Sequence, residues 1–262
     1  MNENYKRCIE DNFKVVDKAG NLVRLKLNEI QTQYLLFDYT GTDDILKARQ
    51  EGLSTIIDAI FTVDFILKEN SYSVIIADIE ENATGLLDRV KLFIESYQEK
   101  NQIKVPLKYN SRFELHNEFM NSTFKIGTSK NIEFGRSKTI HNLHLSEFAF
   151  YSNIEHIMAG AVQAVVEGGR KIVETTANGF NDYKKFRESD NGFKKIFYNA
   201  ERFYDKQFLD KKRKELGSKY VQEYPKNELE AFITSGECFF DKIALGKYLV
   251  DVRLQRELQF HV

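Results

Sequence analysis

Cysteine and proline are nearly missing from this 262-residue chain, which has two of each. Cys8 and Cys238 lie far apart, and neither has a Cys or His partner at metal-ligand spacing. That excludes a disulfide framework and a thiolate metal site and predicts reduced thiols in an intracellular protein. No internal repeat or low-complexity linker divides the chain. No apolar run approaches the roughly 20 residues that a membrane span needs. The opening Met1-Asn2-Glu3-Asn4 is not a signal peptide, so a soluble protein is expected. An excess of charge of one sign is lacking too, with 38 basic and 39 acidic side chains and a net charge of −1. The whole molecule therefore offers no field that would gather nucleic acid, and a DNA-handling role would need a local basic face or a partner. Basic residues do cluster in Lys184-Lys185 to Lys194-Lys195 and in Lys206 to Lys214, where solvated helix faces are the plain reading.

What is present, 42% hydrophobic residues over this length, suffices for one large domain with a full core or for a domain plus a small appendage. Phe13 to Asp17 and Val23 to Leu27 flank Lys18-Ala19-Gly20-Asn21 and read as a hairpin. Asn28 is a good N-cap for a helix to about Phe37. Ile45-Leu46 is a short strand. Ile56, Ile57, Ala59, Ile60, Val63 and Ile66 then predict a buried helix from Ser54 to Leu67. Ser73 to Asp78 has the continuous apolar character of a strand covered on both faces. A helix from Glu80 to about Gln98, strands at Phe124 to Thr128 and Thr139 to Leu145, a helix over Ile154 to Val166 and a strand over Lys171 to Thr175 follow. Alternating strands and helices predict a three-layer α/β domain with a mainly parallel sheet, of the phosphate-loop NTPase type. From about Lys184 the pattern turns helical, charged and aromatic. The expected division is a core over 1–182 and a helical subdomain over 183–262.

Four segments carry candidate chemistry. Lys47-Ala48-Arg49-Gln50-Glu51-Gly52-Leu53-Ser54-Thr55 reads as a phosphate-binding loop with its lysine moved. In the standard Gly-x-x-x-x-Gly-Lys-Ser/Thr loop, amides cradle phosphates, the lysine neutralises them and the hydroxyl ligates Mg²⁺. Here Gly52 and Ser54 keep the glycine and hydroxyl, Leu53 takes the lysine slot, and Lys47 stands in place of the first glycine. Arg49 adds a planar donor able to grip phosphate oxygens bidentately. His144-Leu145-Ser146-Glu147 ends an apolar strand with a carboxylate at its tip, where it can polarise an attacking water. Ser146 takes the place of the usual Mg²⁺-associated aspartate. Thr175-Thr176-Ala177-Asn178-Gly179 offers hydroxyls and an amide at the next strand tip to sense a γ-phosphate, although Ala-Asn-Gly is also a common turn. Gln31, in Asn28-Glu29-Ile30-Gln31, carries an amide able to read an adenine edge or simply sits in an amphipathic helix. Arg136 lies in a loop before the Glu147 strand, as an arginine finger or a surface salt bridge.

In this order, and followed by Tyr220-Val221-Gln222-Glu223-Tyr224-Pro225 and Glu230 to Gly236, the motifs resemble the ATPase part of the large terminase subunit of tailed bacteriophages, the motor that pumps DNA into capsids. The resemblance runs from about Phe13 to Asp241. It implies ATP and Mg²⁺ as cofactors, with Gln31 at adenine. Lys47, Arg49, Gln50, Gly52, Leu53, Ser54 and Thr55 would form the phosphate loop, and Ser54 and Ser146 would lie near the metal. Glu147, Arg49 and Arg136 would act in catalysis, and Thr175, Thr176 and Asn178 in coupling hydrolysis to movement. Double-stranded DNA, the portal protein and the small terminase subunit are the implied partners. The implied assembly is a homo-oligomeric ring on the portal, monomeric in isolation, working in the host cytoplasm. Members of the family continue into a nuclease domain, which is expected to be absent because Val262 leaves it no room. A helicase-like DNA-dependent ATPase, or a decayed portal- or DNA-docking module, are the alternatives that these residues leave open.

Overall fold

The chain enters through a helix: α1 spans Asn2–Asn12 and buries Tyr5 and Ile9. The predicted hairpin follows, with β1 (Lys14–Val16) antiparallel to β2 (Leu22–Arg24). The short helix α2 (Glu29–Gln33) begins at the predicted cap. The Asn28 side chain accepts from the Gln31 amide, and the Gln31 side chain accepts from the Asn28 amide. One wide π turn, Tyr34–Asp38, completes it. Next come β3 (Thr42–Lys47), α3 (Leu53–Leu67), β4 (Tyr72–Ala77), α4 (Glu80–Asn101), β5 (Leu107–Asn110), β6 (Glu114–Asn117) and β7 (Ser122–Thr128). The remainder is β8 (Ile140–Ser146), α5 (Ile154–Ala159), β9 (Val165–Thr175), α6 (Asp182–Glu188), β10 (Lys194–Tyr198), α7 (Lys206–Leu216), α8 (Tyr220–Glu223) and α9 (Glu228–Ala231). This computed structural model describes residues 2–130, 138–232 and 248.

Eight strands make one sheet, in the order β10-β3-β9-β8-β4-β7-β6-β5. Neighbours from β10 to β7 are parallel, and β6 and β5 add an antiparallel edge. Strand side chains alternate between faces, and the core divides accordingly. Ile45, Ile75, Ala77 and Ile172 join a cluster with the inward residues of α1, α3 and α4. Their neighbours Leu46, Val74, Ile76 and Val173 join a second cluster with residues of α5, α6 and α9. Two buried faces, each covered by helices, give the expected three-layer α/β architecture. Full burial of each large aliphatic side chain contributes about 1.5–3 kcal/mol. No helix among the described residues is long and apolar enough to cross a membrane.

Three stretches differ from the expectation. The helix expected over Ile154 to Val166 stops at Ala159, and Val165 instead opens β9. Gly160 breaks the helix, and the β-branched pair Val165-Val166 favours extended backbone. The segment after Lys184, expected to be helical, supplies β10, which adds to the sheet beside β3. The hairpin β5–β6 was not anticipated. It forms the antiparallel end of the sheet: β6 turns Leu115 and Asn117 inward, but only one of the two is apolar, so the buried face leaves no run of apolar residues along the sequence.

One buried arginine ties β10 to the sheet. Arg187 of α6 lies 2.9 Å from the Asp44 carboxylate and donates to the main-chain oxygens of Asp44 (2.9 Å) and Ile196 (3.0 Å), so one guanidinium bridges β3 and β10. Glu228 closes the other side at 2.6 Å. Burial raises the Asp44 carboxyl above its ordinary range, against the pull of Arg187. Removing the guanidinium would strand that carboxylate. Arg187→Ala is expected to cost about 3–5 kcal/mol in denaturant unfolding, and a loss below 1 kcal/mol would show that the bridge contributes little.

Candidate functional site

The tips of β3, β9 and β8 lie side by side, and each carries a charged residue at or next to its end: Lys47 ends β3, Glu174 is the penultimate residue of β9, and Glu147 directly follows β8. β9 sits between the other two strands, so Lys47, Glu174 and Glu147 meet although they are far apart in sequence. The Lys47 ammonium lies 3.0 Å from Glu174 Oε2 and 3.4 Å from Glu147 Oε1. Burial works against the lysine charge, but the two carboxylates outweigh it and hold the amine well above its ordinary value. Burial also opposes the charge of Glu174, yet Lys47, His144 and Ser146 hold its carboxyl well below the usual range. For Glu147 burial prevails over Lys47, and its carboxyl is raised.

The phosphate-loop reading places Ser54 at the N-terminus of α3, and it is there, after Gly52 as N-cap. Gly52 is a requirement at its position. Its φ is +83°, and a Cβ there would lie 2.7 Å from Nε2 of Gln31. The Gln31 side chain is used within the chain at both ends: its oxygen accepts from the Asn28 amide, and its nitrogen donates to the Gly52 carbonyl at 2.7 Å. Gln31 thus braces the loop. Leu53, in the usual lysine slot, is buried in the core cluster of α3 and α4. Gln50 and Arg49 are exposed, Gln50 with φ +60°. The Arg49 guanidinium lies 3.3 Å from Glu223, and its amide donates to the Glu223 carbonyl. Thr55 is half-buried one residue further into the helix.

Ser54 and Ser146 hydroxyls both donate to the same oxygen, Glu174 Oε1, each at 2.7 Å. Behind Glu174 a buried chain of charge continues. His144 Nε2 is 3.4 Å from Glu174 Oε1, and its Nδ1 is 3.0 Å from Asp58. Arg89 of α4 closes the chain on Asp58 at 3.0 Å. Burial opposes the imidazolium, but hydrogen bonds to Asp58 and Glu174 outweigh it and push its pKa up to about 9. Among the residues expected from the sequence to couple hydrolysis to movement, Thr176 donates its amide to Glu147 Oε2 at 3.5 Å. The Thr175 hydroxyl is buried, accepts from the Ala149 amide and donates to the Thr176 carbonyl. Asn178 is exposed and donates to the Ala149 carbonyl at 3.4 Å. Glu147 itself holds the left-handed conformation, φ +55°, a sparsely populated state for a non-glycine residue that clusters at functional sites. Arg136 lies outside the described residues.

A cleft of about 520 Å³ opens over this constellation, with Arg49, Ser54, Ser146, Glu147 and Thr176 on its walls and Arg89 beside them. Hydroxyls and carboxylates are hard oxygen donors suited to Mg²⁺. Among the described residues, no cluster of three or more His, Cys, Asp or Glu is arranged to hold a metal alone, so the fit is to a cation that shares its ligands with phosphate oxygens. Glu174 and Arg89 were not singled out from the sequence. A single acidic residue within the apolar run Ile172-Val173-Glu174 is the signal that marks Glu174. Arg89 has no comparable sequence mark.

No protein-family model matches this sequence, and no curated protein matches it in sequence. Solved structures match it in fold. The large terminase ATPase domain of Thermus phage P74-26 aligns at a TM-score of 0.59 with 15% identity, covering 76% of this chain and 92% of that one. The large terminase of bacteriophage HK97 aligns at 0.61 with 16% identity, covering 82% of this chain and 51% of that one. The large terminase of a thermophilic bacteriophage, in complex with ATP-gamma-S, aligns at 0.52 with 11% identity, covering 76% of this chain and 52% of that one. This chain spans about half the length of the last two. The resemblance read from the motifs holds at the level of fold: the chain has the architecture of a phage large terminase ATPase domain.

A titration follows from the loop. Burial pushes the Glu51 carboxyl from its ordinary value of 4.5 up to about 9, against the pull of Lys47 and Arg202. The folded state therefore holds a proton that the unfolded chain releases above pH 4.5, and folding loses stability as pH rises from about 4.5 to about 9. His144 contributes the same sign over about 6.5 to 9, so the Glu51 part is isolated by comparing variants. Glu51→Gln is expected to match the wild type near pH 4.5 and to exceed it increasingly up to pH 9, by at most about 1.4 kcal/mol per pH unit. Thermal melts across that range measure it, and a gap that does not change with pH would contradict it.

Proposed function

We propose that this chain is the ATP-hydrolysing motor part of a phage large terminase, acting in the host cytoplasm to drive double-stranded DNA into a capsid. The observation that carries the reading is the convergence of Ser54, Ser146 and Glu147 on one cleft at the C-terminal ends of parallel strands, with the buried Lys47 ammonium 3.4 Å from Glu147, where α/β sheets bind ligands. The fold likeness supports it, one neighbour being a complex with ATP-gamma-S. In this reading Lys47 and Arg49 hold the phosphates and Gln50, Gly52, Leu53 and Thr55 shape the loop. Gln31 braces that loop next to the adenine, and Ser54 and Ser146 face Mg²⁺. When bound, the cation would neutralise charge on the β- and γ-phosphates. Glu147 orients and deprotonates the attacking water, a task that its raised carboxyl pKa suits. Arg136 would act on the phosphates of its own or a neighbouring subunit. The decayed-site alternative loses ground because a lysine and a carboxylate, Lys47 and Glu174, are kept buried and paired beside the Ser54 and Ser146 hydroxyls.

Without nucleotide, Lys47 is shared between Glu147 and Glu174. Phosphate oxygens would compete for the ammonium and release Glu147 to take up water. Thr176, whose amide faces Glu147, would register that release together with Thr175 and Asn178. The small cluster of α7 and α8 is placed to follow. Tyr204 donates to the Arg49 carbonyl at 2.6 Å and Gln222 donates to the Ala177 carbonyl at 2.9 Å, so this unit touches the loop and the coupling segment at once. DNA, the portal, the small subunit and neighbouring copies in a ring are the partners proposed for it.

Turnover of ATP with Mg²⁺, with and without linear duplex DNA, tests the reading. Glu147→Gln keeps the size of the side chain and is expected to bind ATP while losing about 100-fold or more in turnover. A variant that hydrolyses like the wild type would overturn the role of Glu147. Strand separation of a tailed duplex by the wild type would favour the helicase-like alternative.

A further inference from the structure

The sequence lacks a carboxylate at position 146, and the sheet register supplies one next to it. Ser146 and Glu174 are paired across the parallel β8–β9 ladder, so their side chains leave the sheet side by side. Glu174 is fully buried. One of its oxygens accepts from both Ser54 and Ser146 at 2.7 Å, and the other lies 3.0 Å from the Lys47 ammonium. A single carboxylate therefore gathers the loop hydroxyl, the hydroxyl at the aspartate position and the phosphate-facing cation.

A purely structural role accounts poorly for this arrangement. Buried ion pairs are often no more stabilising than apolar residues of the same volume, and β9 is otherwise apolar here, at Ile172 and Val173. The charge also has its own support. His144 lies against Glu174, Asp58 against His144 and Arg89 against Asp58, as the partners of metal-site ligands commonly do. Asp78 is another carboxylate on the cleft wall, but it accepts from Asn82 and contacts neither serine hydroxyl.

Resting on the ATPase reading above, we propose that Glu174 performs, from the neighbouring strand, the metal-facing work of the aspartate that position 146 lacks. Mg²⁺ retains several waters and needs only one or two carboxylates beside substrate phosphates. Glu174 orients the Ser54 and Ser146 hydroxyls, as a positioning residue, and sets the negative charge that the hydrated cation faces. The same carboxylate draws Lys47 to that side of the cleft, so lysine and cation share one anchor.

Equilibrium binding of a fluorescent ATP analogue to the full chain, in EDTA and across a Mg²⁺ titration, reads this without hydrolysis. The wild type is expected to bind the analogue in EDTA and more tightly with Mg²⁺. Relative to its own affinity in EDTA, Glu174→Gln is expected to need about 10–100-fold more Mg²⁺ than the wild type for the same fold of tightening. Moving the carboxylate back across the ladder, in Ser146→Asp with Glu174→Ser, is expected to restore the wild-type Mg²⁺ requirement. A Glu174→Gln protein with an unchanged Mg²⁺ requirement overturns the proposal, as does loss of the Mg²⁺ effect in Asp78→Asn alone. Should Glu174→Gln fail to fold in a thermal melt, the double variant decides: recovery supports the proposal and absence of any Mg²⁺ effect overturns it. A wild type that binds no analogue in either condition would instead overturn the ATPase reading, and this inference with it.

Discussion

An ammonium held between one buried carboxylate, Glu174, and one half-buried carboxylate, Glu147, organises this molecule. Charges are expensive to take out of water unless each has a partner, so Lys47, Glu174 and Glu147 can be buried at the strand tips only as a set. That requirement aligns three strands. Lys47 must end β3, Glu174 must lie on β9 between β3 and β8, and Glu147 must turn back over the tip of β8, which it does in the left-handed conformation. The sheet order and the site are one constraint viewed from two sides.

The same set accounts for the departure of the proposed phosphate loop from the common pattern. Leu53 packs into the core beneath α3, so a lysine at that position would have to abandon apolar contacts. The cation comes from the strand end instead, five residues before Gly52. There it is already charged and already pointed at the site by Glu174. The loop between is pinned from outside by the Gln31 amide on Gly52 and by Tyr204 and Glu223 on Arg49. A loop held in this way is preorganised, so less ordering remains to be done when a ligand arrives.

Much of this was legible in the sequence, for identifiable reasons. Ile75-Ile76 and Ile172-Val173 send residues to both faces of a covered sheet, which leaves a continuous apolar run that any reading of periodicity detects. Ser54, Ser146 and Glu147 stood out because strand ends followed by polar residues mark ligand-binding edges in α/β folds. β10 and the β5–β6 hairpin did not stand out. One is tied to the sheet by Arg187, a long-range partner, and the other buries Leu115 beside the polar Asn117, too little apolar sequence to write a pattern. Glu174 was hidden for a related reason. Its meaning depends on lying opposite Ser146 in the ladder, and register between strands separated by a helix is not readable along the chain.

The departures at 53 and 146 also constrain each other. With the lysine at 53 in place of Lys47 the ammonium would approach from the helix side, and Glu174 would keep only the His144 imidazolium beside it. With an aspartate at 146, two carboxylates would face each other across adjacent strands, and like charges at that range would raise the pKa of one of them. Serine at 146 removes that conflict and gives Glu174 a hydroxyl donor at 2.7 Å. Leu53, Lys47, Ser146 and Glu174 are therefore best understood as one coordinated solution in which both charges have moved to neighbouring backbone positions. Aspartate at 146 alone sets a second carboxylate against Glu174, and loss of Glu174 alone leaves Lys47 with the half-buried Glu147 as its one remaining carboxylate, whereas exchanging the residues at 146 and 174 together keeps a single carboxylate between the two strands.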